Sequence, residues 1–259
     1  MNKFKIIWVI ARGVIVESLR RKDLWVVAIL GFLIVLSAGA LGFFGMQGLE
    51  SFAKDLGTTV LGGLSTILAI TSTARLMPDE IKNRTLYPLL ARPISRFDLL
   101  AGKLLGAVAI SWISFAILAA LTGVALAIFG VQFEPVMAQY VLCKMMGLVI
   151  ICSVTLALSL LITANAAVTM SFILLFGAGM ITQALSMAYE SGQTGMAPVF
   201  RFVNAILPQT NLFDLGSRAA NSNWGTVPAW VVGSLAVYMA LYSAAMLGLG
   251  WSKFKNQAV

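Results

Sequence analysis

Histidine is missing altogether from the 259 residues of the chain, and cysteine occurs only twice. The first absence removes the commonest general base and metal ligand, so an imidazole-based catalytic site is excluded. The two cysteines, Cys143 and Cys152, fall in one apolar run. On a single helix they would stand about 13 Å apart along the axis, beyond disulfide reach, so they read as small buried hydrophobes. No cysteine pair has metal spacing, which leaves a structural zinc without ligands. Charge is scarce too: 11% of residues are charged and 59% are hydrophobic, with mean hydropathy +0.92. Soluble domains carry about 25% charged residues, so composition alone predicts an integral membrane protein. At about 20 residues per span, the chain accommodates about six spans, with little left for a soluble domain. The ten acids are rarer still. None lies deep in an apolar run, and no carboxylate pair or GxSxG stands where an intramembrane enzyme would need one.

What is present is a series of long apolar runs. Residues 3–23 are amphipathic at helical spacing, with Lys5, Arg12 and Arg20 on one side and Ile6, Ile7, Ile10, Val14 and Leu19 largely elsewhere. This predicts a helix in the membrane interface. A cleavable signal peptide is the rival, but the charges extend too far in and no small-residue cleavage site follows closely. Spans are predicted at 24–46, 56–74, 104–131, 136–164, 166–189 and 227–251. A short polar loop (47–55), a segment at 75–103 and a long connection at 190–226 lie between them. The expectation is an all-α membrane protein, one transmembrane domain over 1–259. Within 190–226, the stretch 196–207 has helical apolar periodicity and Pro208 ends it, so short helices resting on the outer leaflet are expected.

Six spans put both termini on one side of the membrane. The N-terminal helix, the 75–103 segment and the tail hold fourteen basic and five acidic residues, against three basic and five acidic in the opposite set. By the positive-inside rule the termini and 75–103 are cytoplasmic and 190–226 is outside. The net charge of +8 is then mostly topology, and a nucleic-acid partner is not indicated. The expected location is a bacterial inner membrane.

The 75–103 segment places six basic and three acidic residues between two apolar runs. Pro78-Asp79-Glu80 has the chemistry of a helix start, with acids at the positive end of the dipole. A helix through Leu86, Leu89 and Leu90 would show one apolar face. Pro93 would end it, and Ser95 would cap the next helix with Asp98 at its third position. An apolar face with an arginine rim suits a protein interface; an ordinary solvated loop that sets topology is the plainer alternative.

The pattern of Glu80, Thr85-Leu86, Leu89-Leu90, Pro93-Ile94-Ser95-Arg96, Leu99 and Gly102-Lys103 resembles the cytoplasmic loop of type-2 ABC exporter permeases. These are membrane subunits akin to multidrug and sodium efflux permeases, gliding-motility permeases and the permease serving nitrous-oxide reductase maturation. Arg84 stands where family members often have glycine. The resemblance covers the whole chain. It implies six spans, an interfacial first helix, a cytoplasmic coupling helix between spans two and three, and outer half-helices between spans five and six. It also implies an ABC ATPase partner docked on Glu80, Arg84, Thr85, Leu86, Leu89, Leu90, Pro93, Ser95 and Arg96, and a second permease copy or homologue. Gly102-Lys103 lacks the flanking glycine and hydroxyl of a phosphate loop, so ATP would be bound by the partner. No cofactor, metal or catalytic residue is expected in this chain.

Three further features have two readings each. Gly102 and Gly106 form a GxxxG, suited to close helix packing within one subunit or at a dimer seam. Lys144 is the only ionisable residue well inside a predicted span; it either snorkels to the outer interface or faces a translocation path. Spans two and four are rich in hydroxyls, which either bond to their own helix carbonyls or line a path for an amphiphile. The alternative functions are an ion-coupled carrier and a non-transporting membrane scaffold.

Overall fold

Apolar runs with few breakers become helices throughout. A computed structural model describes residues 3–20, 25, 29, 31–33, 49–82, 95–128, 133–190, 197–220 and 225–256, and every regular element among them is helical. In chain order these are α1 (Lys3–Arg20), α2 (Leu49–Lys82), α3 (Arg96–Ile128), α4 (Pro135–Ser159), α5 (Ala164–Glu190), α6 (Ala197–Ile206), a 3₁₀ turn (Thr210–Phe213), α7 (Gly216–Ala220) and α8 (Ala229–Asn256). Five of them, α2, α3, α4, α5 and α8, are long and apolar enough to cross a membrane, as a multi-pass membrane protein requires. Most of the sixth predicted span, 24–46, lies outside the described residues.

The bundle is organised around α4. Buried residues make up 67% of its most apolar window and none of the α8 window, so α4 is central and α8 peripheral. The main core joins Leu68, Ile70 and Met77 of α2, Leu99, Leu100 and Phe115 of α3, and Leu148 and Leu156 of α4. A second cluster sets Cys143, Ile150 and Val154 of α4 against Phe213 and Leu235. Both cysteines are buried and free.

Three boundaries depart from the sequence reading. The predicted polar loop at 47–55 is helical from Leu49 onward. Its charges did not force an end because Lys54 is fully buried and paired with Glu134 at 2.9 Å. Glu134 itself precedes Pro135, which occupies the first turn of α4, a position where its missing N–H is harmless. Secondly, Pro78 does not start a helix: it lies inside α2, which continues to Lys82. An interior proline costs about 3 kcal/mol. Here Ala74 and Met77 on the same helix are fully buried, and that packing holds the helix through the break. Thirdly, α4 ends at Ser159 and α5 begins at Ala164, so the break comes a few residues before the one predicted between spans 136–164 and 166–189. At 34 and 33 residues, α2 and α3 are each about 50 Å long, well beyond a hydrocarbon core of about 30 Å, so both project past it.

The expected α6 helix and its termination at Pro208 are both present, and Phe213 in the following turn is buried. Ser95 caps α3 as its chemistry predicts: the Asp98 N–H donates to Ser95 Oγ at 3.0 Å.

Candidate functional site

Two regions draw the predicted site residues together, one at each end of α2. The first surrounds the segment that joins α2 to α3. Arg84, Thr85, Leu86, Leu89, Leu90 and Pro93 lie outside the described residues; its two flanks do not. Glu80 forms an ion pair with Lys103, tying the end of α2 to the first turns of α3. Arg96 points inward. Its guanidinium donates to the carbonyls of Phe254 at 2.7 Å and Lys255 at 3.1 Å, and lies 5.6 Å from the Phe254 ring centre. A cation at a helix C-terminus meets carbonyls left without intrahelical partners and the negative end of the dipole. Phe97 meets Trp251 edge to face alongside it. The start of α3 is thereby fastened to the end of α8, a contact the rim position expected for Arg96 did not include.

Gly102 and Gly106 explain how α1 is held. A Cβ at Gly102 would fall 2.9 Å from Ile10 Cβ and 3.1 Å from the Ile7 carbonyl. One at Gly106 would fall 2.6 Å from Val14 Cβ. The GxxxG groove is filled by α1 of the same chain, which resolves its two readings in favour of internal packing. Ala11 and Val14 are buried in the contact, while Trp8, Val9 and Val16 stay exposed.

The second region is a cavity of about 770 Å³ between α2, α4, α5 and the turn that precedes α7. The α2 wall is one helical stripe: Asp55, Thr59, Gly62, Gly63, Thr66 and Ile67 recur at the three- and four-residue spacing that keeps side chains on one face. Lys144, Gly147 and Ile151 form the α4 wall and Phe172, Leu175 and Phe176 the α5 wall. Lys144 is paired within the protein. Its Nζ donates to Asp214 Oδ2 at 2.9 Å, and the other Asp214 oxygen accepts the Gly216 N–H at 3.0 Å. Gly62 makes room for this lysine, since a Cβ there would lie 2.9 Å from Nζ. Below it, Tyr140 donates its hydroxyl to the Thr58 carbonyl at 2.7 Å.

Most hydroxyls of α2 and α4 follow the plainer of their readings. Thr58, Ser65, Thr66, Thr71, Ser72, Ser153 and Ser159 all donate to carbonyls three or four residues back. Thr59 and Thr66 nevertheless face the cavity. Sequence reasoning missed Asp55, Asp214 and the Phe172–Phe176 pair as wall residues. The α2 stripe was present as a signal, but reading 47–55 as a loop removed Asp55 from it.

An all-helical bundle with five helices able to cross a membrane, around a largely apolar cavity with a charged end, defines a multi-pass membrane protein. Residues 24–259 match the family model described as "Protein of unknown function (DUF2705)", and the chain belongs to that family. No curated protein matches it.

Proposed function

We propose that the chain is the membrane permease subunit of an ATP-driven exporter of the type-2 ABC class. A separate ATPase docks on the segment between α2 and α3, and its cycle moves the bundle for export or for force transmission. The observation that carries this reading is the bracing on either side of that segment. Glu80–Lys103 joins α2 to α3, and Arg96 joins α3 to the end of α8. A load applied to a connection with stiff flanks is delivered to three long helices rather than absorbed locally.

A sixth span at 24–46 fits the bundle. Trp25, Ile29 and Leu33 are helical and exposed on one stripe, and Gly31 is buried where a Cβ would sit 3.0 Å from Leu118 and 3.1 Å from Leu64. With six spans the termini and the docking segment are cytoplasmic, the α6–α7 region is external, and α1 lies in the interface of a bacterial inner membrane. The assembly contains a second copy or a homologue. Lys144 and the cavity around it belong to the translocation path.

One observation favours a second reading, the ion-coupled carrier: Asp55 and Asp214 line the cavity between the long helices. Purification of the tagged chain from its native membrane separates the two. Stoichiometric recovery of an ATP-binding protein supports the permease; transport driven by an ion gradient with no such partner supports the carrier.

A further inference from the structure

The cavity walls carry a gradient of charge that runs the same way on α2 and α4. Along α2 the stripe passes from Asp55 and Thr59, through Gly62 and Gly63, to Ile67 and to Thr66, whose hydroxyl is held by the Gly62 carbonyl; along α4 it passes from Lys144 through Gly147 to Ile151. The turn before α7 adds Asn211 and Asp214 near Lys144, and α5 adds Phe172 and Phe176, with ring centres 6.3 Å apart. One end is therefore charged and the other aromatic and aliphatic. A volume of about 770 Å³ lies within the range of about 300–1,000 Å³ typical of ligand pockets. Gly63, Ile67 and Phe176 are exposed, so the site also opens sideways, toward the acyl chains of a surrounding bilayer.

The charged end has a definite sign. Lys144 is neutralised by Asp214, and both Asp214 oxygens are occupied. Asp55 is exposed on the wall, and among the described residues its carboxylate has no hydrogen-bond or ion-pair partner. One negative charge is left over. We propose that this cavity binds a monocationic amphiphile, its ammonium head at Asp55 and its apolar body against Ile67, Ile151, Phe172 and Phe176. The ammonium supplies the counter-charge that Asp55 lacks, and Gly63 at the waist, where a Cβ would meet nothing within 4 Å, leaves width for the body. An anionic head would meet Asp55 unfavourably and would have to break the Lys144–Asp214 pair. As a substrate site it rests on the permease reading; as a binding site it needs neither ATP nor a partner.

The test uses the full chain in lipid nanodiscs, titrated with radiolabelled dodecyltrimethylammonium and competed with dodecyl sulfate or dodecyl maltoside. One saturable site is expected, displaced by unlabelled cation and far less by the anion. Asp55→Asn, which removes the Coulombic attraction to the quaternary head, weakens it about tenfold or more. Gly63→Leu abolishes it without lowering the thermal midpoint, because a Cβ at Gly63 meets nothing within 4 Å and the side chain projects into the cavity. Sulfate competing as well as the cation, binding that survives both substitutions, or no saturable binding above empty nanodiscs overturns the proposal. Cation binding without ATPase recovery leaves the cavity assignment standing and removes the permease reading; ATPase recovery without cation binding does the reverse.

Discussion

Gly106 sits against Val14 of α1, and a side chain there has nowhere to go. Gly106→Val forces the two helices apart. The expected loss is about 1–3 kcal/mol, the usual consequence of overpacking a filled contact, read as a lower midpoint of thermal unfolding. Gly13, on the outer face of α1, is different: a Cβ there would meet nothing within 4 Å. Gly13→Ala should leave the midpoint unchanged or raise it slightly, since alanine is the better helix former. Equal midpoints for the two variants would mean that α1 does not occupy the groove. The close approach was legible from the GxxxG spacing; what filled it was not, because such spacing describes a groove and carries no information about its occupant. Lys144 is similar. Its isolation in an apolar run singled it out with two readings, but its partner Asp214 lies 70 residues further on, and no local periodicity connects the two.

Element identity was more legible than element length. The apolar runs of α3, α4, α5 and α8 are uninterrupted enough to be read directly, and α6 followed from its period and from Pro208. The extent of α2 is hidden at both ends for one physical reason. Charge and proline in a sequence point to solvent, whereas Lys54 is buried by pairing and Pro78 is carried by tertiary packing. The α6 helix supports a prediction of its own. Its sequence separates apolar from polar residues around the wheel, and Phe202 and Ile206 are exposed, as suits a helix lying on a lipid surface. Amide exchange in nanodiscs should be slow over Ala197–Ile206 and faster in detergent. Exchange in nanodiscs at the rate of an unstructured peptide would remove the interfacial assignment.

On the proposed reading of the whole molecule, the distribution of basic residues sets orientation and the braced segment carries function. In a background lacking Cys143 and Cys152, a membrane-impermeant thiol reagent applied to intact cells should label Gln193→Cys and spare Lys82→Cys; the opposite pattern inverts the topology. The central claim concerns the connection between α2 and α3. If an ATPase grips it, the apolar face of Leu89 and Leu90 is the contact, each leucine contributing about 1.5–3 kcal/mol by burial. Exposed ion pairs at the rim contribute only about 0–1 kcal/mol. The most direct test is the stoichiometry of ATPase co-purifying with the Leu89→Asp, Leu90→Asp double variant, at a thermal midpoint equal to that of the unaltered chain. The account predicts that the ATPase is lost while the membrane subunit stays folded. Recovery at the original stoichiometry would contradict it, leaving the segment as a topology signal alone.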